Sequence, residues 1–74
     1  MTQEQEGRIK QAWAKLRATR ERIRRAGEAI KSASLSGSTD RLEKSHREYD
    51  AANQADSAAQ AELEAAMRDA GLNI

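Results

Sequence analysis

The side chains able to do chemistry in this chain are few and widely spaced. His46 and Asp50 stand at i, i+4 spacing, the separation at which two metal ligands share one face of a helix, but no other histidine and no cysteine is present to complete a set. Ser32, Ser34, Ser36 and Ser38 alternate through the middle of the chain without a base beside them, which suits turn and cap positions better than nucleophiles. The four glycines, Gly7, Gly27, Gly37 and Gly71, are isolated and form no phosphate-cradling loop. No catalytic residue, metal site or cofactor is expected from this set.

Charge is the stronger signal. The formal net charge is only +1, yet the halves differ in sign. Between Gln3 and Ser34 nine basic residues face four acidic ones, a net of +5; between Thr39 and Ala70 four basic face eight acidic, a net of −4. Within the basic half, Lys10, Trp13, Arg17, Arg20, Arg24, Gly27 and Lys31 recur at helical spacing, a cationic ridge with one aromatic anchor. Trp and Arg are the residue types enriched at interface hot spots, and the same ridge could take nucleic-acid phosphates. Trp13, Arg17, Arg20 and Arg24, with Gln60 and Met67 beside them, are the candidate partner-binding residues.

Such a ridge needs helices to carry it. Of the 28 residues in the hydrophobic class, 15 are alanine, and Val, Phe, Cys and Pro are absent. Both halves are rich in Ala, Glu, Gln, Lys and Arg, the best helix formers, with none of the β-branched alternation a strand would show. Thr2 with Gln5 makes a capping box, Ser38 or Thr39 with Asp40 can cap a second helix, and Arg68 before Gly71 marks its end. The expectation is one all-α domain: helix one over about 3–34, a turn at 35–38 and helix two over about 39–70.

A single heptad frame runs through both helices. Its a positions hold Ile9, Leu16, Ile23 and Ile30, then Leu42, Tyr49, Asp56, Leu63 and Ala70; its d positions hold Ala12, Thr19, Ala26 and Ala33, then Ser45, Ala52, Ala59 and Ala66. Folding the chain back at its centre pairs positions that sum to 75. Ile9 then meets Ala66, Leu16 meets Ala59, Leu63 meets Ala12 and Tyr49 meets Ala26, so large residues face small ones in every layer except the polar pair Thr19 and Asp56. This pattern predicts an antiparallel hairpin with a coiled-coil seam, flanked by Arg8–Asp69 and Lys15–Glu62 ion pairs. Asp56, hydrogen-bonded to Thr19 or reached by Arg20 or Arg24, is expected to pin the register.

A two-helix hairpin with so little apolar material is marginal alone, and dimerisation into a four-helix bundle is the natural completion. Two surfaces qualify: an alanine flank of Ala51, Ala55, Ala58 and Ala65, or the ridge itself set against the acidic stripe of Glu43, Asp50 and Glu64 with His46. The alternating seam layers resemble the architecture of the Rop family, plasmid-encoded RNA-binding regulators that dimerise into four-helix bundles. That resemblance covers the hairpin pattern and carries over no functional residue.

The functional expectation is therefore a small non-enzymatic protein-interaction module, a homodimeric regulator or inhibitor of the phage or plasmid accessory type, acting on a protein partner. Nucleic-acid binding through the ridge is the alternative. The N-terminal residues lack an apolar targeting core and no stretch approaches the roughly 20 apolar residues of a membrane span, so a cytoplasmic protein without membrane contact or small-molecule substrate is expected. The last residues, Leu72, Asn73 and Ile74, form an apolar tail expected either to tuck onto the bundle end or to project as a hook.

Overall fold

The computed structural model describes residues 1–72. Two helices, α1 (Gln3–Ser36) and α2 (Thr39–Asp69), run antiparallel and pack along their whole length. Their Cα envelope measures 52 × 15 × 14 Å, the length expected for 34 residues at a rise of about 1.5 Å each. No helix among the described residues is long and apolar enough to cross a membrane.

Each helix end has a local cause. At the start of α1 the Gln5 backbone N–H donates to Thr2 Oγ1 at 3.1 Å, while the Thr2 N–H donates to Gln5 Oε1 at 2.9 Å, the reciprocal capping box. Glu4 and Glu6 add negative charge where the helix dipole is positive. Ser38 caps α2 by accepting from the Arg41 N–H at 3.3 Å, and Asp40 occupies the first turn. At the far end Gly71 adopts φ 79°, its N–H donates to Arg68 O, and the Leu72 N–H donates to Met67 O, both at 2.9 Å. These two bonds form a Schellman motif, and glycine enters its left-handed conformation without a Cβ clash.

The first helix continues two residues beyond its expected end, so Leu35 and Ser36 are helical and the connection narrows to Gly37 and Ser38. The stop is made by Gly37 at φ 71° rather than by the serines. Ser36 is accommodated because its hydroxyl donates to Ala33 O at 2.9 Å, and Leu35 is left 82% exposed beside the turn. The second helix closes at Asp69, with Ala70 as its cap. Of the apolar tail, Leu72 is 39% exposed; Asn73 and Ile74 lie outside the described residues.

Among the described residues, all ten buried ones occupy seam positions: Ala12, Leu16, Thr19, Ala26 and Ala33 from α1, and Ser45, Ala52, Ala59, Leu63 and Ala66 from α2. The d positions, all small, are buried. The a positions divide: Leu16 and Leu63 are buried, whereas Ile9, Ile23, Ile30, Leu42, Tyr49 and Asp56 are half-buried. This division follows from the geometry of two helices, which enclose only the line between them, so small side chains near that line are covered and long ones at a protrude along one side of it.

Candidate interaction face

The seam separates two faces of unlike character. On the g and c side, the Arg8 guanidinium lies 3.3 Å from the Asp69 carboxylate, and Lys15 Nζ donates to both Glu62 oxygens at 3.0 Å. The d alanines floor open hollows on this side: one between these cross-helix pairs, lined by Arg8, Ala12, Lys15, Glu62 and Ala66, and another nearer the turn, lined by Arg22, Arg25, Ala26, Glu48 and Ala52. Ala51 and Ala65 of the alanine flank rim these hollows. Both predicted ion pairs are present, and all four partners are exposed by half or more.

The opposite face, built from a, e and b positions, carries every candidate partner-binding residue. Trp13 is 41% exposed and lines a shallow open hollow with Lys10 and Arg17. Met67 packs with Ile9 against the cluster of Ala12, Leu16, Ala59 and Leu63, whereas Gln60 is exposed. Tyr49 leans across the seam toward Gly27, its Cε2 about 4.0 Å from where a Cβ at that glycine would lie. An alanine there would fit in ordinary contact, so Gly27 is not required by the tyrosine.

Asp56 and Thr19 form the expected polar layer. The Thr19 hydroxyl lies 2.9 Å from Asp56 Oδ1 and 2.9 Å from Leu16 O, so its single proton is shared between a cross-helix and a local acceptor. Arg20 Nε approaches the same carboxylate oxygen at 3.9 Å, and the Asp56 side chain is 19% exposed. This half-buried carboxylate is satisfied, and no buried side-chain polar atom lacks a partner among the described residues.

Arg24, expected to reach Asp56 or a partner, instead bonds Glu21 one turn earlier, through Nε at 3.0 Å and Nη2 at 2.7 Å, with Arg25 adding a contact at 3.2 Å. These hydrogen bonds, led by that from Arg24, hold the Glu21 carboxyl well below its ordinary value of 4.5, at about 2, and Glu21 in turn raises the Arg24 guanidinium. The i, i+3 and i, i+4 spacings of Glu21 with Arg24 and Arg25 were visible in the sequence and are the signal that ridge spacing alone overlooked. Lys10 is likewise paired locally, with Glu6 at 3.4 Å, and Arg68 with Glu64 at 3.6 Å. Arg17, Lys31, Glu43 and Asp50 have no ion pair among the described residues. His46 and Asp50 are exposed, and no group of three or more His, Asp or Glu side chains is placed to hold a metal ion among the described residues.

The described residues thus define a class, the two-helix antiparallel hairpin, with one face crossed by two ion pairs and open hollows and the other carrying half-covered apolar side chains between a basic and an acidic edge. No family model, curated protein or solved structure matches the chain.

Proposed function

We propose that this hairpin is a non-enzymatic protein-interaction module that completes its core by docking, acting as a homodimer of the four-helix-bundle type and regulating a protein partner through its helix surfaces. One observation carries the reading: Ile9, Ile23, Ile30, Leu42 and Tyr49 stay half-buried on the same face that exposes Trp13. Full burial of such a side chain contributes about 1.5–3 kcal/mol, so a row of them left half-covered is a reserve of binding energy that only another surface can realise. Trp13, Arg17 and Arg20 on that same face are of the residue types that anchor protein interfaces.

Phosphate binding is less well supported, because a phosphate binder carries a net basic domain and the whole chain is near neutral. Light scattering after size exclusion at a few micromolar tests the reading. A mass of about 16 kDa, twice the 8.2 kDa chain mass, is expected. A monomer at both low and high salt overturns it, and uptake of RNA or DNA by that monomer, falling steeply with salt, would favour the nucleic-acid alternative.

A further inference from the structure

We infer that the second copy docks on the face of Trp13 and Tyr49, about a two-fold axis parallel to the helices, setting α1 of each copy over α2 of the other. The inference rests on the dimeric reading above and adds the face and the symmetry.

The outer edge of this face is set by the b positions. On α1 they are Lys10, Arg17, Arg24 and Lys31, all cationic; on α2 they are Glu43, Asp50, Ser57 and Glu64, three of them anionic. Because seam partners sum to 75, Lys10 lies level with Glu64, Arg24 with Asp50 and Lys31 with Glu43, to within one residue, or about 1.5 Å along the axis. Within one hairpin each such pair is split across opposite edges of the face, and none of these three pairs forms an ion pair.

A two-fold axis parallel to the helices preserves level while exchanging edges. It brings Lys10 of one copy to the partner's Glu64, Arg24 to the partner's Asp50 and Lys31 to the partner's Glu43, with all adjacent helices antiparallel. A two-fold axis across the helices would instead lay α1 on α1, basic edge on basic edge, and like charges facing one another are repulsive. Charge pattern therefore selects the symmetry as well as the face. Lys31 and Glu43 are both unpaired among the described residues and can meet without breaking a bond, whereas Lys10, Arg24 and Glu64 would share or exchange exposed one-turn partners, which such pairs hold weakly.

Two further observations favour this face. The opposite one has joined four of its flanking charges across the seam, Arg8 with Asp69 and Lys15 with Glu62, and its hollows, one of them rimmed by Arg22, Arg25 and Glu48, hold no large apolar side chain to bury. The hairpin is 52 Å long, so this face also runs the full length over which a second copy could be laid.

The level of Arg17 and Ser57 lacks an opposite-charge pair and suits a covalent test in a chain without cysteine. The double variant Arg17→Cys/Ser57→Cys, oxidised with copper phenanthroline at a few micromolar, should yield a covalent dimer, while each single variant should not. A wild-type dimer in which that double variant stays uncrosslinked but Ala18→Cys/Ala58→Cys crosslinks would place the contact on the alanine face and overturn this inference alone. A wild-type monomer would overturn the dimeric reading itself. As an independent check, Arg24→Glu/Lys31→Glu and Glu43→Lys/Asp50→Lys should each shift toward the monomer alone and return to a dimer on mixing; failure of mixing to restore it counts against the charge-selected geometry.

Discussion

The two ends of the hairpin are held together differently. At the open end, where the start of α1 lies beside the end of α2, Leu16 and Leu63 interlock with Ala12 and Ala59 in the buried cluster, two ion pairs cross the seam, and Gln5 Nε2 donates to Asp69 O at 3.0 Å. At the turn end the large residues Ile23, Ile30, Leu42 and Tyr49 are only half-buried, buried Ser45 donates to Arg41 O of its own helix, and the cross-helix polar link is Arg41 to Ser32 at 3.4 Å. The Thr19–Asp56 layer divides them. Near the turn the connection itself keeps the helices together, because closing a short loop costs little entropy, so weak contacts suffice. Far from the turn the chain offers no such help, and side chains crossing the seam must hold the ends in register.

The largest test of this contrast is Leu16→Ala against Ile30→Ala. Leu16 is 2% exposed in the buried cluster it forms with Ala12, Ala59 and Leu63, and its truncation should cost about 2–5 kcal/mol. Ile30 faces Ser45 near the turn and should cost clearly less. Thermal melts of both variants decide it; equal losses would remove the distinction between the ends.

Asp56→Leu tests the divider. Replacing a half-buried carboxylate by an apolar residue should be stabilising by about 1 kcal/mol, since Thr19 keeps Leu16 O as its acceptor and no polar group is orphaned. The melting temperature should rise while the distribution of oligomers broadens, as the polar layer no longer penalises slipped registers. A lower melting temperature would show that the carboxylate stabilises the native hairpin directly.

A smaller effect is expected from the open-end ion pairs. A double-mutant cycle on Lys15→Ala and Glu62→Ala should give a coupling of about 0.2–1 kcal/mol that diminishes in high salt, because both side chains are more than half exposed. The corresponding cycle on Arg41 and Ser32 at the turn should be weaker still.

The smallest is a titration. Glu21, lowered from 4.5 to about 2 by Arg24 and Arg25, belongs to a cluster confined to α1. Its carboxyl is depressed in the folded state, so its contribution is present above about pH 4.5 and is lost as pH falls through 2. Carbon-detected NMR should find Arg24→Gln returning the Glu21 titration toward its ordinary value; a midpoint unchanged by that substitution would remove Arg24 as the cause.

Much of this was legible in the residues. Alanine-rich composition, the Thr2–Gln5 box and the Gly71 stop determined two helices and their ends. The heptad frame determined the seam, and the loop centre determined its register, so Arg8–Asp69, Lys15–Glu62 and Thr19–Asp56 could be written down in advance. Periodicity translates directly into angle around a helix, and level follows from the antiparallel sum. Ser34 to Ser38 misled about the turn by two residues, because serine caps and serine in a last helical turn have the same composition and differ only in where the left-handed glycine falls.

What only the tertiary structure decided is where flexible side chains go and how far two helices cover them. Arg24 had acceptors within reach in two directions and took Glu21, a choice made by rotamers and distances that spacing leaves degenerate. The half-burial of Ile23, Ile30 and Tyr49 beside fully covered alanines likewise depends on the depth of the groove between two cylinders. The sequence names the residues that point toward the seam; only the packed pair of helices determines that most of the large ones lean to one side of it and stay half-covered there.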